Sequence, residues 1–191
     1  MKKPKETKKW LVKYVELAKD DKSAELNSVY FLLGKANMAM EDFEQASVAL
    51  NYALNDKLAP KEYFKTVAAL VNANVNMQDY VGALNALENT SDIGLSPPQI
   101  LELLLLKTNI LRNLGLVDKA LSNLKGRADY MPDSNIKAKI LFEISKCNIE
   151  KGNLKLASEQ LAEILAFIEP CTLAQNIAYE LALVCWKMKN D

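Results

Sequence analysis

An alanine followed four residues later by a leucine returns along this chain at one fixed interval. The stretches ASVAL (46–50), ALNAL (83–87), ALSNL (120–124) and ASEQL (157–161) each begin 37 residues after the one before. No other feature constrains the fold as much, because self-similarity at such a period marks one supersecondary unit stacked on copies of itself. An alanine and a leucine one turn apart lie on the same stripe of a helix. The alanine lets two helix axes approach closely, and the leucine fills the space where they diverge.

Elsewhere apolar residues recur at intervals of three and four rather than two, and the chain holds only 6 glycines and 6 prolines. Nearly every segment therefore reads as an amphipathic helix and none as a strand. Breaks at 19–23, 39–42, 55–60, 76–79, 91–98, 113–115, 130–134, 151–153 and 169–172 predict about ten helices. Pro60, Pro97, Pro132 and Pro170 stand only at every second break. Proline fixes φ and lacks the amide proton, so it opens a helix but does not continue one. The alternation of tight and proline-bearing breaks predicts an all-α fold of stacked antiparallel helical hairpins. Superposed on the period, Phe43, Tyr80, Val117 and Leu154 form one apolar column, and Tyr30, Val67, Leu104 and Leu141 another.

These columns resemble the tetratricopeptide repeat, a helix-turn-helix unit with a large early residue, Leu-Gly, a tyrosine, two spaced alanines around an aromatic or leucine, and a proline. In the first block Tyr30, Leu33-Gly34, Ala46, Leu50 and Ala53 stand at the family spacings, and Pro60 comes two residues later than usual. Later blocks depart from the pattern. The glycine becomes Val71, Thr108 and Ser145, the second alanine becomes Thr90, Arg127 and Ile164, and the tyrosine column reads Asn37, Asn74, Leu111 and Asn148. The period also exceeds the family's usual length of about 34 residues, so the units are divergent. The resemblance implies an α-α superhelix, a right-handed solenoid, as a single repeat domain over 1–191. Its parts are an N-terminal helix in 1–22, units 23–59, 60–96, 97–133 and 134–170, and a capping helix in 171–191.

In that family the first helices of the units line a concave groove that takes peptides, from a few fixed columns. Carried over, one column reads Lys35, Asn72, Asn109 and Lys146, with Asn76 and Asn113 one turn beyond the two asparagines and Arg112 nearby. A parallel column reads Phe31, Ala68, Leu105 and Phe142. The candidate peptide-binding residues are therefore Phe31, Lys35, Asn72, Asn76, Leu105, Asn109, Arg112, Asn113, Phe142 and Lys146. Asparagine offers a donor and an acceptor to a peptide backbone, lysine holds a carboxylate, and the apolar column accepts side chains.

Other function classes are disfavoured. Lysine plus arginine equals aspartate plus glutamate, 24 each, which gives no general attraction to nucleic acid or to an acidic membrane. The chain has no histidine, no phosphate-cradling glycine loop and no nucleophile constellation. Pairs such as Asp20-Asp21 and Glu41-Asp42 read as helix-end carboxylates rather than acid-base groups. Cys147, Cys171 and Cys185, without C-x-x-C spacing, read as buried free thiols rather than a metal site or a disulfide framework. No cofactor and no metal is expected. The longest apolar run is too short for membrane insertion, and the basic start lacks an apolar h-region. That reading places the chain in the cytoplasm, or in the periplasm or envelope if a signal or anchor has been removed. The expected function is a non-catalytic scaffold for a protein or peptide partner. Its alternative is a self-assembling homo-oligomer or envelope-associated scaffold working through end or convex faces, with Trp10 and Trp186 as anchors. In favour of that alternative, the stretch 130–153 is similar to repeats of bacterial periplasmic and outer-membrane assembly proteins.

Overall fold

The computed structural model describes residues 3–18, 24–54, 58–90, 94–128 and 133–190. Among these residues every regular element is a helix: α1 (Pro4–Leu17), α2 (Ala24–Met38), α3 (Phe43–Ala53), α4 (Pro60–Asn76), α5 (Tyr80–Glu88), α6 (Pro97–Asn113), α7 (Val117–Ala128), α8 (Ser134–Glu150), α9 (Leu154–Phe167) and α10 (Thr172–Asn190). Each of the predicted segments 23–59, 60–96, 97–133 and 134–170 holds one pair of helices, and the end segments hold α1 and α10. Pro60 and Pro97 are the first residues of α4 and α6, as the missing amide proton allows. Pro132 lies outside the described residues.

The chain divides into two compact units, Met1–Gln99 and Ile100–Asp191, with the division early in α6. In the first unit α1 packs on α2, α2 on α3, α3 on α4 and α4 on α5, and α2 also meets α4. In the second, α7 packs on α8, α8 on α9 and α9 on α10, and α10 also meets α8. Neighbours in sequence are thus neighbours in space, as a hairpin repeat requires.

The tight breaks share one backbone solution. Residues 41, 78, 115 and 152, spaced by the repeat period, all have positive φ: Glu41 at 60°, Gln78 at 60°, Gly115 at 73° and Gly152 at 77°. The next amide in each case donates back across the turn: Asp42 to the Asn37 carbonyl (3.0 Å), Asp79 to Asn74 (2.9 Å), Leu116 to Leu111 (2.8 Å) and Asn153 to Asn148 (2.9 Å). The left-handed residue donates one rung inside, Glu41 to Met38 and Gly152 to Ile149. This pair of bonds is the Schellman closure, which satisfies carbonyls a helix end would otherwise orphan. The residue that closes one helix then opens the next. Asp42 caps α3 by accepting from the Gln45 amide, and Asp79 caps α5 by accepting from the Gly82 amide at 2.9 Å. One residue serving both ends is why the break is so short.

Packing follows the Ala-Leu register. Ala46, Ala83, Ala120 and Ala157 are fully buried, as are Leu50, Leu124 and Leu161, and Leu87 is nearly so. In the first unit Ala46 and Leu50 of α3 join Leu70 and Ala73 of α4 in one cluster, edged by Phe31 and Met38. In the second, Leu161 and Ile164 of α9 meet Ala138 and Phe142 of α8 and Ile177 and Val184 of α10. Burial of each such leucine contributes about 1.5–3 kcal/mol. Close approach is most acute at Gly34, where an added Cβ would stand 2.5 Å from Leu50 Cγ.

The column that holds tyrosine in the tetratricopeptide family is buried here but polar. Asn37, Asn74 and Asn148 are 2–5 % exposed, beside the equally buried Leu111. Asn74 Oδ1 accepts from Ser47 Oγ at 2.7 Å, and Asn148 Nδ2 donates to Gln160 Oε1 at 2.8 Å, so these two tie first helices to second helices by side-chain bonds. Asn37 Oδ1 is buried with no hydrogen-bond partner.

Candidate functional site

In the first unit the candidate face is built on α2 and α4. Both helices are held from behind by α3, whose Ala46 and Leu50 fix the spacing of α2 against α4. The sides of α2 and α4 away from that cluster are the polar ones, as an amphipathic helix dictates. Lys35 and Asn72 are exposed. The ammonium of Lys35 lies 5.7 Å from the centre of the Phe31 ring, one turn earlier on α2, an arrangement worth about 0.5–1 kcal/mol at an exposed site. Asn76, the last residue of α4, donates its side-chain amide to the Asn72 carbonyl one turn earlier at 2.7 Å. The Asn72 side chain itself has no partner among the described residues.

Between α2 and α4 lies a cleft of about 130 Å³. Asn27, Ser28 and Phe31 line it from α2, Ala53 from α3, Glu62, Lys65 and Thr66 from α4, and Leu58 from the segment before α4. Thr66 Oγ1 donates to the Glu62 carbonyl at 2.9 Å, and the lining is mixed, with Phe31, Ala53 and Leu58 apolar and Asn27, Ser28, Glu62 and Lys65 polar or charged. Sequence reasoning found Phe31 but missed Ser28, Thr66 and Glu62. Ser28 and Lys65 are separated by the repeat period, and that was the signal available.

In the second unit the candidates divide into two sets. Asn109 is exposed on α6, and Asn113, the last residue of that helix, donates to its carbonyl (2.8 Å) and to its Oδ1 (3.1 Å), the same helix-end role that Asn76 plays. Leu105 is half-buried. The other set is a charged cluster joining α6 to α8. Arg112 Nε donates to Glu150 Oε1 at 2.8 Å, and its Nη2 reaches the same carboxylate oxygen. Arg112 Nη1 lies 3.2 Å from Glu143 Oε2, and Lys146 Nζ lies 2.7 Å from Glu143 Oε1. Lys146 also stands 4.3 Å from the centre of the buried Phe142 ring, the counterpart of Lys35 over Phe31. The hydrogen bond that Arg112 donates to Glu150 raises the arginine's pKa further, against the opposing effect of burial. Two cations and two carboxylates cancel, so a ligand carboxylate at Arg112 would have to displace a glutamate already in place.

Beneath this cluster lies Cys147, buried as expected, with burial pushing its thiol up to about 11. Such a thiol stays protonated and inert at neutral pH. Cys171 and Cys185 are exposed, which corrects the expectation that all three thiols are buried. Cys171 sits in the loop before α10, and Cys185 lies about a quarter turn around α10 from the buried Ile177 and Val184.

Among the described residues no helix is long and apolar enough to cross a membrane. No family model matches the chain, and no curated protein matches it.

Proposed function

We propose that this chain is a non-catalytic scaffold of the tetratricopeptide kind, a right-handed solenoid of hairpins that takes an extended peptide of a partner protein on the outward faces of its first helices. The observation that carries the reading is the cleft between α2 and α4. At about 130 Å³ it is well below the roughly 300–1,000 Å³ of small-molecule sites and fits a single anchoring side chain of a peptide. Phe31 gives that side chain an apolar wall, and Lys35 and Lys65 stand at hand for an acidic neighbour in the peptide. Asn72 on the first unit and Asn109 on the second offer amides to peptide backbone. A reducing cytoplasm suits three unpaired cysteines, two of them exposed. Assembly through an end face is the second reading, and its support is Trp10 and Trp186, each 65 % exposed.

The test is selection of binders from a random peptide library displayed on phage. Affinities of the selected peptides would then be compared between the wild type and the Asn72→Ala, Asn109→Ala double variant. The reading expects recovered peptides to share an apolar anchor beside an acidic residue. It also expects their affinity to fall at least roughly tenfold in the variant with melting unchanged. Failure to select any peptide, or undiminished affinity in the variant, would sink it.

A further inference from the structure

Four side chains around the cleft between α2 and α4 have polar atoms to offer. Asn27 is half-buried on α2 and Ser28 is exposed beside it, while Glu62 and Lys65 are exposed on α4. None of the four side chains has a hydrogen-bond or ion-pair partner among the described residues. The hydroxyl proton of the buried Thr66 is already given to the Glu62 carbonyl, so Thr66 can only accept. Phe31, Ala53 and Leu58 supply the apolar part of the lining, and the volume of about 130 Å³ admits one side chain.

These features act against most occupants. An aliphatic side chain or a phenylalanine would cover Phe31 and Leu58 but would strip water from Asn27, Ser28 and Glu62 without replacing its hydrogen bonds. A carboxylate would meet Glu62, and a lysine or arginine would meet Lys65, so the two opposite charges disfavour a charged tip of either sign. Serine, threonine or asparagine would pair with the polar groups and leave the apolar lining in water. What remains is a neutral side chain with an apolar body and a hydroxyl at its end, and that is tyrosine.

We propose that the cleft takes a tyrosine of the partner peptide. Its ring packs on Phe31, and its hydroxyl lies about one turn back along α2, between Asn27 and Ser28 on one wall and Glu62 on the other. The phenol donates to the Glu62 carboxylate, a charge-assisted bond, and accepts from the Asn27 amide or the Ser28 hydroxyl. Lys65 then remains for the acidic residue expected beside the anchor. The assignment rests on the peptide-binding reading and narrows its anchor to one residue type.

Peptides recovered from a random phage library on the 191-residue protein are expected to share a tyrosine. Replacing that tyrosine by phenylalanine in a synthetic peptide should weaken binding at least about tenfold, because the polar groups of the cleft lose a partner that water no longer supplies. Against the Ser28→Ala, Glu62→Ala double variant the same replacement should cost less than about threefold, since the hydroxyl has lost its own partners there. Both substituted residues are exposed, so melting should stay close to that of the wild type. A different shared anchor, or a tyrosine that phenylalanine replaces without loss, overturns the tyrosine and leaves peptide binding standing. An equal loss in both proteins overturns the placement of its hydroxyl. Recovery of no peptide at all overturns peptide binding itself, and the tyrosine with it.

Discussion

The hairpin turns invite a test that runs in both directions within one protein. All four place a residue in the left-handed region, but two of those residues are glycines and two are not: Glu41 and Gln78 at φ 60°, Gly115 and Gly152 at 73° and 77°. An L-residue held there costs about 1–2 kcal/mol through the clash of its Cβ with the following carbonyl. Glycine avoids that cost but loses more freedom on folding, by about 0.5–1 kcal/mol relative to alanine. Glu41 and Gln78 are exposed, so their side chains have little packing to lose. The difference predicts that Gln78→Gly stabilises the first unit by about 0.5–1 kcal/mol and that Gly115→Ala destabilises the second by a similar amount. For a unit of about 100 residues, each kcal/mol shifts the midpoint by about 4–8 °C. Thermal and urea unfolding followed by far-ultraviolet circular dichroism would read both changes. The reasoning fails if Gln78→Gly lowers the midpoint, or if Gly115→Ala leaves it unmoved, because either result means that the turn is not limited by backbone strain.

Further outcomes follow from the same packing. Ala83→Leu should overpack the α4–α5 hairpin at a cost of about 1–3 kcal/mol, and Leu50→Ala should leave a cavity costing about 2–5 kcal/mol, both measured by urea unfolding. Iodoacetamide should label Cys171 and Cys185 in the native protein but reach Cys147 only on unfolding. Because the Cys147 thiol is raised from 9.0 to about 11, its contribution is intact below pH 9 and is lost as pH rises toward 11, so stability should fall less steeply there in Cys147→Ala. Asn37→Leu removes a buried acceptor that has no partner and puts in place the residue the third repeat already uses, Leu111, so it should stabilise by about 1–3 kcal/mol. Asn74→Leu strands the Ser47 hydroxyl and should not stabilise; equal effects from the two substitutions would refute the distinction.

How much of this was legible in the sequence depends on what repeats. The Ala-Leu pairs, the apolar columns and the prolines all report helix spacing, and every predicted break that falls on described residues separates two helices. Features that repeat in geometry but not in residue type stayed hidden. The left-handed turn position is glycine in two repeats and Glu41 or Gln78 in the others, so no column marks it. The cleft between α2 and α4 depends on how closely two helices approach, which a column of single residues does not encode. Exposure of Cys185 was equally invisible, because its column is buried wherever a second helix covers it.

The structure also separates polar residues that the sequence presented as one group. Positions two apart on a helix point about 200° apart, so Lys35 and Asn37, or Asn72 and Asn74, serve opposite faces. On the buried face, Asn74 and Asn148 link first helices to second helices. On the exposed face most candidates already have an internal reason to be polar. Arg112 is held by Glu150 and Glu143, Asn76 and Asn113 finish their own helices, and Lys35 and Lys146 rest on phenylalanine rings. Asn72 has no such reason. It sits inside α4, where asparagine is less favourable than alanine by up to about 0.7 kcal/mol, and its side chain contributes no bond in return. Asn72→Ala should therefore leave the fold as stable or slightly more so. Any loss of binding in that variant is then a loss of contact with a partner rather than of structure, which makes this residue the sharpest single probe of the face. A clear drop in melting temperature would instead mean that Asn72 has a structural role, and would remove it from the candidate site.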